Sequence, residues 1–181
     1  MRINKMKEIE LKILNINIEE ITKKLLKIGA KKVGENLIIE KHFDFPDKRI
    51  SKNKESFRLR KFGSKTELTY KHSLIKDKNF KIHEETETEV SNYDEMEKII
   101  EKLGLKRVKY KEKKRISFKL EKLKIEIDKY PSIPAYLEIE GSKKEIENLL
   151  KRLGYKLSQT TNMNATSVLK YYNVNPNFQK F

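Results

Sequence analysis

The sequence predicts an α+β fold: a closed eight-stranded antiparallel β-barrel with amphipathic helices packed outside it. Two observations support this prediction. Three segments have apolar residues at helical spacing, and eight segments alternate polar and apolar residues with a period of two. Eight antiparallel strands are about the number at which a sheet closes into a barrel that can hold one small ligand. We expect residues 1–181 to form one domain, because this length is enough to bury a hydrophobic core.

The three helices are predicted by apolar residues that recur every three or four positions. They cover 18–30, 93–105 and 143–155, and each reaches a glycine, the residue that commonly ends a helix. An acidic strand precedes each helix, and a long polar strand follows the first two. We interpret this repetition as an approximate internal duplication of a β-α-β-β unit. Residues 164–172 are predicted to form a fourth, short helix.

The strands are predicted where polar and apolar residues alternate, since alternate side chains of a strand point to opposite faces. Segments 46–54 and 73–79 are expected to be mobile loops, and the tail 173–181 to be irregular. The predicted strands are 8–13, 31–43, 55–62, 66–72, 79–90, 105–118, 122–129 and 137–140.

The composition limits the classes of function that remain. The chain has 42 Lys plus Arg against 27 Asp plus Glu, a net charge of +15 that favours an anionic partner. There is no cysteine, which excludes disulfides, thiolate metal sites and a cysteine nucleophile. No apolar run reaches the roughly 20 residues of a membrane span, and the N-terminus lacks a signal-peptide pattern. We therefore expect a soluble, cytoplasmic protein.

Charges of one sign share a face on several predicted strands. Glu8 and Glu10 lie two apart, as do Arg58 and Arg60. Such pairs repel each other unless an opposite charge lies between them. Carboxylate pairs suggest a hard divalent metal, and paired Arg or Lys suggest a multiply charged anion. Together they suggest a metal-bound polyphosphate. The alternative is a polar sheet face in water, but three amphipathic helices need the apolar face to pack on.

Seven short motifs on these strands occur in one order over residues 6 to about 155. They are Glu8, Glu10 and Lys12 as ExExK; Arg58 and Arg60; Lys71; Glu87 and Glu89, with Glu85 as an alternative register; Lys113 and Arg115; Asp128; and Glu138 and Glu140. This series resembles the CYTH family, also called triphosphate tunnel metalloenzymes, which includes class IV adenylyl cyclases, thiamine triphosphatases and inorganic triphosphatases.

The resemblance implies a barrel that forms a tunnel for a triphosphate and for Mg²⁺ or Mn²⁺. The expected substrates are ATP, thiamine triphosphate or tripolyphosphate. The carboxylates would act in catalysis and metal binding, with Glu8, Glu10, Glu138 and Glu140 as the core and Asp128, Glu87 and Glu89 assisting. The expected triphosphate ligands are Lys12, Arg58, Arg60, Lys71, Lys113 and Arg115. Further candidates are Glu85, Glu126 and His42.

Two reactions share such a site. A water molecule that attacks the terminal phosphorus gives hydrolysis, whereas the 3′-hydroxyl of ATP attacking the α-phosphorus gives cyclic AMP and pyrophosphate. Several class IV cyclases carry a His-Phe pair upstream of ExExK, where this chain has Arg2 and Ile3. We therefore favour hydrolysis over cyclisation.

Two other classes of function remain open. The same tunnel could serve a non-catalytic polyphosphate or nucleotide binder. The net charge also fits a general nucleic-acid-binding protein, although no recognised nucleic-acid motif is present. We expect no membrane partner, and a homodimer stays open. His42, His72 and His83 have no metal-ligand spacing, and we interpret them as structural or surface residues. His42 remains a candidate because its strand leads towards the tunnel.

Overall fold

Within residues 6–181, the fold contains nine strands and five α-helices. The computed structural model describes residues 6–181, and side chains throughout that range except at 6, 7 and 73–76. The strands are β1 (Met6–Ile13), β2 (Lys31–Asp44), β3 (Glu55–Phe62), β4 (Lys65–Lys76), β5 (Lys81–Glu89), β6 (Lys106–Leu120), β7 (Leu123–Lys129), β8 (Tyr136–Glu140) and β9 (Phe178–Gln179). The helices are α1 (Ile18–Lys27), α2 (Arg49–Lys52), α3 (Tyr93–Lys102), α4 (Lys143–Leu153) and α5 (Ala165–Tyr171).

Eight of the strands close into an antiparallel barrel, as the sequence predicts. Their order around the barrel is β2-β3-β4-β5-β1-β8-β7-β6, and a long ladder between β6 and β2 closes it. That ladder runs from the pair Lys31–Lys119 to the pair Asp44–Lys106, with two register shifts. The short β9 adds to β6 in parallel, outside the closed ring. Closure leaves none of the eight strands with a free edge along its whole length.

The alternation of side chains separates a charged interior from an apolar exterior. On β1, Glu10 and Lys12 face inward, while Leu11 and Ile13 face a core that also contains buried apolar residues of α1 and α4. Both Leu11 and Ile13 are almost completely buried. Because a fully buried side chain of this kind contributes about 1.5–3 kcal/mol, this outer core fixes which face of β1 points into the barrel.

The helices begin and end where local chemistry satisfies the free backbone groups at their termini. Ser142 and Glu145 form a capping box at the start of α4, and α4 ends at Gly154 in the left-handed region, with φ of 82°. The side chain of Asn17 accepts a hydrogen bond from the backbone N–H of Glu20 at the start of α1. The three predicted amphipathic helices are therefore confirmed, and α5 corresponds to the predicted fourth helix.

Three segments that the sequence predicts as loops or tail contain regular structure. Segment 46–54 includes α2, because the buried carboxylate of Asp44 accepts hydrogen bonds from the backbone N–H groups of Ile50 and Ser51. Strand β4 continues to Lys76, into the segment 73–79. The tail contains β9. The end of β4 pairs with β5, the next strand along the chain, whereas β9 pairs with β6, which is far away in sequence. The alternation pattern of a single segment does not show either pairing.

Candidate functional site

The inside of the barrel is a charged cavity of about 520 Å³. All eight barrel strands contribute side chains to its wall, and the segments of α2 and α5 contribute at its edge. The predicted site residues on the wall are Glu8, Glu10, Lys12, His42, Arg58, Arg60, Lys71, Glu85, Glu87, Lys113, Arg115, Glu126, Glu138 and Glu140. The remaining lining residues, which we did not predict, are Glu40, Ser51, Lys54, Glu55, Ser56, Lys81, His83, Lys109, Lys111, Lys124, Asn164, Ala165 and Thr166.

Two predicted residues do not line the cavity. Glu89 is exposed at the end of β5, where it pairs in register with Glu67 of β4. Asp128 has no exposed surface and is not among the lining residues. Its carboxylate accepts hydrogen bonds from Arg115 Nε at 2.6 Å and Lys113 Nζ at 2.9 Å. Asp128 therefore holds two cationic wall residues in place.

The charge of Asp128 is maintained by those same partners. Burial alone would raise the pKa of Asp128, but the positive charges of Arg115 and Lys113 outweigh burial and lower it. The hydroxyl of Tyr136 also donates a hydrogen bond to it, at 3.1 Å. With four donor atoms directed at it, the carboxylate is fully satisfied as an anion.

The cationic wall is formed by Arg58, Arg60, Lys113 and Arg115. Arg58 and Lys113 both approach Glu40, with nitrogen–oxygen distances of 3.5 and 3.6 Å. These are long for hydrogen bonds, so the pairs are loose. Burial and the neighbouring Arg60 lower the pKa of Arg58, although an arginine remains charged in a protein. A polyanion would relieve the repulsion between these like charges.

Arg60 and Arg115 have further acidic partners. Arg60 contacts Glu67 and lies 3.6 Å from Glu87, and Arg115 contacts Glu126 and lies 3.7 Å from Glu138. The wall therefore contains both signs of charge, with the cations in majority near β3 and β6.

Lys12 binds two of the predicted metal ligands. Its Nζ lies 2.7 Å from Glu10 Oε1 and 2.8 Å from Glu138 Oε2. Burial would lower the pKa of Lys12, but the two carboxylates raise it. Burial would likewise raise the pKa of Glu10, yet Lys12 lowers it to about 2. In this structure Lys12 is thus an ion-pair partner of the acidic core.

Glu140 lies opposite Glu10 in the pairing of β1 with β8. Burial raises the pKa of Glu140, and the negative charge of Glu8 adds to the effect. The ammonium of Lys124, 3.4 Å away, only partly offsets it. This corner of the cavity therefore holds more negative charge than its neighbours neutralise.

Another acidic part of the wall, formed by Glu8 and Glu85, lies beside His83, which the sequence predicted to be a structural or surface residue. His83 Nε2 lies 3.0 Å from Glu8 Oε2 and 2.6 Å from Glu85 Oε1, and Glu85 also contacts Lys71. Among the described residues, Glu8, His83 and Glu85 form a group whose potential metal-ligand atoms all lie within 4.8 Å of one another. The sequence contained one indication that His83 belongs to the site: residues 83, 85 and 87 alternate along β5 and therefore share one face.

The end of the cavity next to α5 is basic. Lys111 is buried, and its Nζ donates a hydrogen bond to Thr166 Oγ1 at 3.0 Å. Burial, partly offset by Glu40, lowers the pKa of Lys111 to about 7. Burial and the nearby Lys111 also hold the pKa of His42 well below its usual value, so its imidazole is neutral at pH 7. His42 Nδ1 lies 3.1 Å from the hydroxyl of Ser56.

The chain belongs to the CYTH domain family, whose domain matches residues 6–172. This match covers the whole barrel and all of α5. The sequence resemblance is therefore confirmed. Arg2 and Ile3, which the sequence analysis compared with the cyclase His-Phe pair, lie outside the described residues.

Individual proteins resemble the chain over most of its length. A protein of Methanocaldococcus jannaschii named putative adenylate cyclase is 29% identical over 139 residues, which are 77% of this chain and 79% of that protein. A solved structure from Pyrococcus horikoshii is 28% identical, with a TM-score of 0.74 over 87% of this chain and 96% of that one. A putative adenylyl cyclase from Hippeastrum, described as having a dominant triphosphatase activity, is 15% identical with a TM-score of 0.67, over 93% of this chain and 97% of that one.

Within residues 6–181, no helix is both long and apolar enough to cross a membrane.

Proposed function

We propose that this protein binds a triphosphate inside its barrel and hydrolyses it with the help of Mg²⁺ or Mn²⁺. The observation that carries the proposal is a cationic wall, Arg58, Arg60, Lys113 and Arg115, that shares one enclosed cavity with the carboxylates of β1 and β8. Phosphoryl transfer depends mainly on positioning and on neutralising charge, and these residues supply both.

The cationic wall would hold the phosphate oxygens. Arg58 and Arg60 present guanidinium groups from one face of β3, and a guanidinium can donate two parallel hydrogen bonds to phosphate. Hydrogen bonds to Asp128 fix Lys113 and Arg115, so these groups lose little conformational entropy on binding. The loose contacts of Arg58 and Lys113 with Glu40 leave donors available for a substrate.

The carboxylates fit a hard divalent cation. Glu8, Glu10, Glu138 and Glu140 offer oxygen ligands of the kind that Mg²⁺ and Mn²⁺ prefer. The raised pKa of Glu140, caused by burial and helped by Glu8, indicates a local deficit of positive charge that a cation would remove. A bound divalent ion would neutralise phosphate charge and make a bound water more acidic.

Lys12 would have two roles in this proposal. Without substrate it neutralises Glu10 and Glu138. Once a cation performs that task, its ammonium would be available to a phosphate oxygen, as the family resemblance implies. Glu87 and Glu126 would orient Arg60 and Arg115, which they approach or contact.

Hydrolysis is favoured over cyclisation by the chemistry of the wall. Among the described lining residues, Ala165 is the single apolar one, and there is no Phe, Tyr or Trp. A buried nucleobase usually needs apolar or aromatic surface to stack on. We therefore expect a substrate that is mostly phosphate within the cavity. Cyclisation of ATP remains the second candidate, because the Methanocaldococcus relative is named putative adenylate cyclase.

A substrate panel with product analysis tests the proposal. The protein is incubated with tripolyphosphate, ATP or thiamine triphosphate, each with Mg²⁺ or Mn²⁺, and products are separated by ion chromatography. We expect orthophosphate and the corresponding diphosphate, with tripolyphosphate turned over fastest. Cyclic AMP with pyrophosphate would support the cyclase instead. Tight binding without any product would indicate a non-catalytic polyphosphate binder.

Glu138→Gln provides the matched variant for this assay. The substitution keeps the shape of the side chain but removes a carboxylate that we assign to metal binding, so turnover should fall by about 100-fold or more. Glu147→Gln, on the exposed face of α4, is the control and should be as active as the wild type. Equal activity of both variants would contradict the assignment of Glu138.

A further inference from the structure

We propose that His83 supplies a nitrogen ligand, through Nε2, to a divalent transition-metal ion bound together with Glu8 and Glu85 on the barrel wall. This inference rests on the proposed function in one respect, namely that the cavity binds a divalent cation. It goes further by naming a ligand that no motif contains and by predicting which cations the site prefers.

The three side chains are placed by strand pairing. Glu8 of β1 and His83 of β5 are direct partners in the antiparallel ladder, so their side chains lie side by side on the same face. Glu85 follows two residues after His83 and shares that face. Because β1 and β5 are both interior members of a closed barrel, neither strand can slide without breaking ladders on its two sides. The group is therefore assembled before any ligand binds.

The distances match those between neighbouring ligands of one ion. His83 Nε2 lies 3.0 Å from Glu8 Oε2 and 2.6 Å from Glu85 Oε1. Atoms bound about 2.1 Å from a common six-coordinate ion lie roughly 3 Å from each other. Small side-chain adjustments would suffice to admit the ion, and Lys71, which now contacts Glu85, would give up that contact.

The imidazole is directed at the carboxylates and nowhere else. His83 is 1% exposed, and its Nδ1 has no hydrogen-bond partner among the described residues. Nε2 is the ring nitrogen that faces both carboxylates, so a cation bound between these oxygens would meet it directly, with the imidazole proton on Nδ1. One imidazole nitrogen together with two carboxylate oxygens is a donor set suited to a divalent transition-metal ion.

The mixed donor set predicts selectivity. First-row transition-metal ions, Mn²⁺ among them, accept an imidazole nitrogen beside carboxylate oxygens, whereas Mg²⁺ binds oxygen almost exclusively. We therefore expect Mn²⁺ to bind this site more tightly than Mg²⁺ does.

Pulsed electron paramagnetic resonance of bound Mn²⁺ tests the ligand directly. The full-length protein is loaded with MnCl₂ without any triphosphate, and the ¹⁴N coupling of a directly bound imidazole is measured. Labelling all histidines with ¹⁵N should convert that coupling to the ¹⁵N pattern, which requires no substitution and hence no concern about folding. Absence of a nitrogen coupling, or absence of Mn²⁺ binding at millimolar concentration, would overturn the inference.

Two variants assign the nitrogen to one residue. His83→Gln should abolish the coupling and weaken Mn²⁺ binding in calorimetry by at least about tenfold, while Mg²⁺ binding changes little. His42→Gln alters the other histidine of the wall, which is half-buried, and should retain the coupling. Retention of the coupling in His83→Gln would contradict the proposal. Because Mg²⁺-dependent turnover is measured separately, the inference can fail while the proposed function stands.

Discussion

Several buried side chains in this protein are ionisable, and burying a charge lowers the free energy of unfolding. Lys111 is the clearest case, because it is 1% exposed and lies near Lys109, Lys113 and Arg58. Burial lowers its pKa to about 7, from the ordinary 10.5. Such a residue costs stability when it is protonated, which makes it more useful for binding an anion than for holding the barrel together.

The sign of the pH dependence of stability follows from this shift. Below about pH 7 both the folded and the unfolded protein carry the Lys111 proton, and the full cost of burying the charge is present. Between about pH 7 and 10.5 the unfolded chain binds more protons than the folded one, so the free energy of unfolding rises with pH.

Lys111→Met should therefore stabilise the protein at pH 6, by about 1–3 kcal/mol, and the difference should shrink as the pH approaches 10. Urea denaturation at pH 6, 8 and 10 measures it. Lys106→Met, an exposed position on the same strand, is the control and should change stability little. An equal effect of Lys111→Met at all three pH values would mean that the lysine is not charged as we describe.

Substitution of the single residue Arg58 tests whether the cationic wall binds phosphate. Removing a guanidinium that binds phosphate should cost about 1.5–3 kcal/mol, so Arg58→Ala should raise the Kd for tripolyphosphate by roughly 10- to 100-fold. Calorimetry in the absence of divalent cations measures binding without turnover. Arg107→Ala removes an exposed arginine of β6 and should leave the Kd nearly unchanged. Wild-type affinity in Arg58→Ala would remove Arg58 from the binding site.

At the scale of elements, α2 shows how one polar side chain can organise a segment that the sequence predicts as a loop. Asp44 ends β2 and is 2% exposed. Its carboxylate accepts hydrogen bonds from the N–H groups of Phe45, Ile50 and Ser51. This ties α2 to the barrel and places Ser51 and Lys54 at the edge of the cavity.

Asp44→Ala should destabilise the protein by about 1–3 kcal/mol, because it leaves buried N–H groups without an acceptor. Chemical denaturation measures the loss. Asp94→Ala, at an exposed position in the first turn of α3, should cost only a few tenths of a kcal/mol. Similar losses in the two variants would show that the cap of α2 does not contribute as we infer.

At the scale of the whole molecule, barrel closure brings charges of both signs into one enclosed volume. The net charge of +15 is spread over the chain, but the geometry concentrates a small number of cations where an anion of limited size can enter. A nucleic-acid duplex would meet mainly the outer surface and would bind with a steep salt dependence. A triphosphate inside the cavity would be screened less by salt.

Tripolyphosphate should therefore stabilise the folded protein at physiological salt. A ligand at 100 times its Kd adds about 2.7 kcal/mol to the free energy of unfolding, which corresponds to a rise in Tm of roughly 5–10 °C for a chain of this size. Differential scanning fluorimetry measures the rise, with orthophosphate at the same total charge as the control. The shift should be largely lost in Arg58→Ala. An equal shift with orthophosphate would indicate a general ionic effect.

Much of the site was predictable because strand alternation is a local property. Because alternate residues of a strand share one face, the sequence alone placed Glu8, Glu10, Arg58 and Arg60 on charged strand faces. All four line the cavity. Alternation does not predict how deeply a side chain is buried, and so Asp128 has the expected facing but does not line the cavity.

Alternation along a strand also could not predict the positions of two other residues, Glu89 and His83. Glu89 has the same parity as Glu87, yet it lies at the exposed end of its strand. His83 shares its face with Glu85, but its contact with Glu8 depends on the register between β1 and β5, which are far apart in sequence.

The sequence by itself determined four of the five helices, the eight barrel strands, their facing and the family, because period, capping residues and motif order are all written along the chain. Only the tertiary structure decided which charges meet. Register and closure arise from hydrogen bonds between distant strands, and those bonds determine that Lys12 pairs with Glu10 and Glu138, and that a histidine faces two carboxylates inside the barrel.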